Sequence, residues 1–319
     1  MIDFRYHVVS IIAIFLALTV GIVLGSSVFN QPLVERLNTE AKSLQTEAES
    51  LRSQIRQLQR DVQYRDQFAD RAAPTLVADR LRGESVVVVA LPGAEAQVVD
   101  SLVEMLRQAG ASVPGRVAVK ESFTDRTKAE ALDALVASVA PPGLKLPGNT
   151  PQARAATELA YAITTTQKTE LGVPTGPRTR ILTAFREAGF IDVRDNPGNL
   201  GTLAVVVAPP APGDVVDQSQ AKQAHSAYLA LVAALDTHSR GVVLAGPEEA
   251  ADVGGLIKEM REDGRLAARA SSVDVADTAT GRVSVVFALV AEMKGKSGQY
   301  GVHGTTDGPL SDVLGQTTQ

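Results

Sequence analysis

From Val8 to Val34 the chain carries no charged residue, and the stretch VVSIIAIFLALTVGIVLGSSV (8–28) carries no proline. A helix rises about 1.5 Å per residue, so roughly 20 such residues cross a hydrocarbon core of about 30 Å. A core helix of a soluble domain rarely stays apolar on every face for so long, and the run predicts a transmembrane helix over 8–31. The competing reading is a cleaved secretory signal, with Gly25, Ser26 and Ser27 as a small-residue cleavage site. Two features favour a retained anchor. The run exceeds the usual apolar region of about 7–15 residues, and the segment before it has only Arg5, offset by Asp3. No cysteine is present downstream, which excludes a lipoprotein anchor. Residues 1–7 then form a short cytoplasmic tail. The positive-inside rule supports this orientation weakly, and the bulk of the chain is expected on the extracytoplasmic side.

Within the span every fourth residue is small: Ala13, Ala17, Gly21 and Gly25. Positions four apart share a helix face. No hydrophobic force drives helices together in lipid, so small residues matter there because they let two backbones approach closely. Small residues are common in membrane helices, and the stripe alone is a weak sign. The heptads directly downstream strengthen its reading as a transmembrane dimer face. Leucines recur at 37, 44, 51 and 58, and Val34, Ala41, Ala48, Ile55 and Val62 fill the alternate seam positions. These four heptads, polar elsewhere, predict a coiled-coil stalk over 33–72. With leucine at d and Ile55 at a, two parallel strands are favoured. Glu47 and Arg52 of opposite chains have attractive signs, whereas Asp61 and Asp66 repel. A single anchor also imposes parallel exit from the membrane, so stripe and heptads ask for the same partner, a second copy. Pro32 is expected to mark a joint between the two crossing geometries, and Pro74 to end the stalk. About 40 residues at about 1.5 Å each hold the remainder on the order of 50–60 Å from the bilayer.

An extracytoplasmic α/β domain is expected over 74–295. Three apolar runs, SVVVVALPG (85–93), TLAVVVAPP (202–210) and GVVLAGPEE (241–249), suit strands buried on both faces, and a helical pattern comes after each. That alternation predicts a Rossmann-like parallel sheet flanked by helices. Val98/Val253, Leu102/Ile257, Glu104/Glu259 and Met105/Met260 recur at one offset, a sparse hint of a repeated half-domain. A last helix is expected over about 279–294. The tail, 296–319, is Gly-rich and expected to be irregular.

Motifs that carry chemistry are scarce. No GxGxxG, GxSxG or HExxH is present, and GKS (295–297) lacks the glycine a phosphate loop needs at Val290. His225 and His238 fall on one predicted helix too far apart to share a metal, and the four methionines do not cluster. No catalytic, cofactor-binding or metal residue is assigned, and a net charge of −5 argues against nucleic acid. The one stretch that looks selected is GQYGVHG (298–304). Tyr300, Gly301 and His303 there are candidate partner or ligand contacts, with a sheet-capping role as the plain alternative.

Several features together resemble one actinobacterial family, the mycobacterial copper transport protein B (MctB) group, also described as SteB. They are MIDFRYHVVSIIAIFLALTVGIVLGS, the heptads directly after the span, the GRVSVVFALVAEM helix and the terminal GQYGVHG. Family members often have GHYG where this chain has Gln299. The resemblance implies two functions. One is copper transport or tolerance as an efflux component, with an outer-membrane location proposed and copper as the only implied ligand. The other is cell division, in which a SteA-like membrane protein is the partner and peptidoglycan hydrolases are regulated. The residues favour the second. One span per chain leaves no lumen, copper finds no ligand cluster, and a membrane β-barrel would need girdling aromatics that a 4% aromatic content without Trp does not supply. The sequence expectation is therefore a non-enzymatic, single-pass, dimeric adaptor of the cell envelope. An enzyme site in the sheet crevice near Pro92 and Pro247 ranks below both.

Overall fold

The computed structural model describes residues 4–29, 31–172, 176–213 and 218–311. The chain divides into two compact units, one up to Arg65 and one from Asp66 onward. In the first, α1 (Phe4–Phe29) is succeeded by α2 (Gln31–Val77), whose first turn holds Pro32. Proline is suited to that position because a helix's first N–H groups have no internal partner. Arg5–Gly25 has a mean hydropathy of 2.8 and none of its length is buried, so α1 is long and apolar enough to cross a membrane. Open space surrounds the stripe at Gly21 and Gly25. On α2 the seam side chains Leu37, Leu44, Leu51, Ile55, Leu58 and Val62 are each more than half exposed in the single chain. Val34 lies in the helix, its side chain outside the described ones.

The expected stop at Pro74 is corrected: α2 runs through it to Val77. Proline withdraws one N–H from the helix ladder, but this last turn is held from outside. Ala73, Val77 and Leu81 are fully buried against the α/β unit, and Asp70 receives Arg282 at 3.1 Å. Tertiary burial overrides the local signal.

The second unit is built on one seven-stranded sheet of order β3-β2-β1-β4-β5-β6-β7. Its strands are β1 (Val86–Ala90), β2 (Gly115–Val119), β3 (Ile191–Asp195), β4 (Leu203–Val207), β5 (Val242–Ala245), β6 (Ser271–Val273) and β7 (Gln299–Tyr300). All pair in parallel except β3, which runs antiparallel to β2. The first six stand in the order of dinucleotide-binding sheets. Strand residues alternate between two cores. Val87, Val89, Ala204 and Val206 face α4 (Ala129–Val139), α5 (Pro151–Ile163), α6 (Gly176–Glu187), α7 (Gln218–His238) and α8 (Leu256–Glu262). Val86, Val88, Leu203 and Val205 face α3 (Ala96–Gln108), α10 (Ala279–Glu292) and the end of α2. A short helix, α9 (Gly264–Ala267), precedes β6. Right-handed crossovers account for α3 on one face and for α7 and α8 on the other, because the sheet is built leftward from β1 to β2 and rightward from β4 to β6.

The tail departs from the irregular course expected of it. Gln299 and Tyr300 pair with Ser272 and Val273 as an added edge strand. Two residues are too few to leave a periodic signal in sequence.

Candidate functional site

The side-chain network of the α/β unit that the tail completes lies at the carboxyl ends of β5, β6 and β7. Asp274, the residue after β6, is fully buried, and Arg261 in the last turn of α8 reaches it. The guanidinium donates to Asp274 Oδ2 at 2.8 Å, to the carbonyls of His303 at 2.7 Å and Tyr300 at 2.9 Å, and to Ser272 Oγ at 2.8 Å. The carboxylate also accepts the backbone N–H groups of Val302 at 2.9 Å and His303 at 3.1 Å. Gln299 closes the floor: it accepts from Ser272 Oγ at 2.7 Å and donates to the carbonyls of Ala267 and Ala270.

The glycines of GQYGVHG are explained by this network. Gly301 has φ +135, and an added Cβ would collide with the Asp274 carboxylate. Gly298 is pressed against the Tyr300 ring. Gly301→Ala is therefore expected to cost about 2 kcal/mol or more, from backbone strain together with displacement of a buried carboxylate. The check is a lowered urea midpoint together with faster hydrogen exchange at Val302 and His303.

Of the three candidates in this motif, Tyr300 turns its ring into the core, Gly301 supplies the close approach, and His303 presents its side chain outward. The imidazole bridges two loops: Nε2 lies 2.9 Å from Asp252 Oδ1, and Nδ1 lies 3.6 Å from Glu248 Oε1. Beside it opens a cavity of about 520 Å³, lined among others by Asp252, Val253, Lys258, Glu262, Thr305 and Asp307. The exposed loop tip is thus fixed from below by a buried ion pair. Such a pair adds little net stability, and its recognised use is to hold one geometry. An expensive scaffold under a surface loop is the arrangement expected of a recognition site.

The other candidate ligands stay apart. His225 meets Glu259 at 3.0 Å, and His238 stacks edge-on to Tyr161. Met105 and Met260 belong to the cores on opposite faces of the sheet. Among the described residues no group of three or more His, Cys, Asp or Glu is placed to hold a metal ion. At the switch point between β1 and β4 the loops that leave the two strands pack on one another, a Cβ on Gly93 falling 3.2 Å from Pro209. Sequence reasoning found the glycine motif but missed Arg261 and Asp274, since neither stands in a recognisable spacing.

Comparison with known proteins gives one consistent result. The family model described as "Copper transport outer membrane protein, MctB" matches residues 1–310. A protein named "Copper transporter MctB" from Mycobacterium tuberculosis (strain ATCC 25618 / H37Rv) is 30% identical, over 99% of this chain and 100% of its own. One of the same name from Mycobacterium leprae (strain TN) is 32% identical, over 96% of this chain and 98% of its own.

Proposed function

This chain belongs to the MctB family, and from that premise we propose that it serves copper transport or tolerance as a membrane-anchored component rather than as the conduit. The observation that carries the reading is the extent of the likeness. It runs from the apolar helix through the α/β unit to the tail, and the relatives it covers bear a copper-transport name. The architecture limits the role. Among the described residues one apolar helix is long enough to cross a membrane, and the sheet is covered on both faces, so copper passes elsewhere. The chain is a non-enzymatic parallel homodimer, packed through Ala13, Ala17, Gly21 and Gly25 and through the seam from Val34 to Val62. Its N-terminus is cytoplasmic, and its α/β unit is extracytoplasmic and presents the loop around His303 to an envelope partner.

The second reading keeps the same dimer as a cell-division adaptor acting with a SteA-like membrane protein on peptidoglycan hydrolases. The lack of a metal-holding cluster among the described residues favours it. On residues alone it ranks first; the relatives' names support copper. Deleting the gene and restoring it separates the two. The copper reading expects more cell-associated copper and growth arrest at lower copper, both reversed by the restored gene. Unchanged copper content with misplaced septa would discard copper in favour of the adaptor.

A further inference from the structure

We propose that the seam between two copies continues along α2 into the α/β unit, as far as Leu76, and seats Phe68 of each copy against the partner's α/β unit. The inference rests on the dimer of the proposed function. Counting on in sevens from Val62, the a positions are Ala69 and Leu76 and the d positions are Arg65 and Ala72. Asp70, Ala73 and Val77 fall on the flanking b and e positions. The structure sorts the helix along that division. Ala73 and Val77 are fully buried, and Asp70 holds Arg282 at 3.1 Å. Phe68 is 66% exposed and Leu76 51% exposed. The unit therefore takes one flank of α2 and leaves the heptad line beside it open.

The occupant that fits is a second copy. A heptad line that resumes in the same register after Arg65, with Ala69, Ala72 and Leu76, asks for a parallel helix with the same repeat, and a single anchor delivers one in that orientation. In such a pair a g residue faces the e residue of the partner's next heptad. Phe68 stands at g, and the e position it meets is the partner's Ala73. The partner's own α/β unit buries that alanine completely, so the ring that faces it meets the surface of the unit at its junction with α2. Arg65, the one charged residue at d, stands level with Asp61 and Asp66 and offsets the repulsion those carboxylates bring to the pair.

The chain contains no cysteine, so single cysteines report the seam directly. In membranes holding the full chain and treated with diamide, Leu51→Cys in the stalk and Leu76→Cys are both expected to form disulfide-linked dimers. Each should do so about tenfold faster than Arg71→Cys on the outward face, since a disulfide needs Cα atoms within about 7 Å. Adding Phe68→Asp should slow the link at Leu76→Cys and spare that at Leu51→Cys. If Leu51→Cys links while Leu76→Cys is no faster than Arg71→Cys, the extension is wrong and the stalk dimer stands. If Leu51→Cys also fails to link, the dimer itself is wrong.

Discussion

Replacing Arg261 by methionine is expected to destabilise the α/β unit by about 3–5 kcal/mol, the range for removing one partner of a buried ion pair. Asp274 is fully buried and the Arg261 side chain is 10% exposed. The variant would strand the carboxylate with only the N–H groups of Val302 and His303 for compensation. Three further acceptors lose their donor at once: the carbonyls of Tyr300 and His303 and the Ser272 hydroxyl. For a unit of this size the loss corresponds to a fall in Tm of roughly 10 °C. Far-UV circular dichroism of the detergent-solubilised full chain checks it. Arg261→Met combined with Asp274→Asn should recover part of the loss, because the unpaired charge is the costly species. A loss under about 1 kcal/mol for the single variant would mean that water reaches Asp274 and that the loop is not held as described.

The same network explains what could and could not be read from sequence. Strands β1, β4 and β5 were legible because strands buried on both faces must be continuously apolar. Strand β6 was not. Its Ser271 and Ser272 are fully buried polar residues, and their hydroxyls meet Glu292, Gln299 and Arg261. A buried serine is made acceptable by partners 11 to 27 positions away, a relation that periodicity does not encode. Strand β3 was hidden by its polar edge position and β7 by its length. The half-domain repeat holds in packing at Leu102/Ile257 and Met105/Met260, all buried, and fails at Val253, which is 82% exposed against 6% for Val98. The helices it relates cover opposite faces of the sheet, so the likeness is one of burial and not of neighbours. At the site, the glycines of GQYGVHG announced a constrained loop. Their cause, the Asp274 carboxylate under Gly301, lies 27 residues earlier at the end of a strand that sequence did not show.

Glu158→Met is expected to stabilise the protein by about 3 kcal/mol more at pH 8 than at pH 4. Glu158 sits on α5 with no exposed surface, and neither carboxyl oxygen has a hydrogen-bond partner. Burial without compensation pushes its pKa up to about 7 from the ordinary 4.5. Below pH 4.5 the carboxyl is protonated whether the chain is folded or not, and the shift has no effect on stability. Between pH 4.5 and 7 the unfolded chain releases the proton while the folded chain keeps it, so stability falls as pH rises. Above 7 the full penalty is present and constant. Methionine has similar length and no charge to bury, and it removes that dependence. Some slope should survive in the variant. Glu292 is raised to about 8 by burial, against the hydroxyl of Ser271 that donates to it at 2.5 Å, and the Asp236 carboxylate pushes the same way as burial. Urea unfolding of wild type and variant at pH 4, 6 and 8 resolves the two contributions. The Glu158 difference is expected to open between pH 4 and 7 and then level off. An equal gain at pH 4 and pH 8 would assign the effect to packing alone and refute the raised carboxyl.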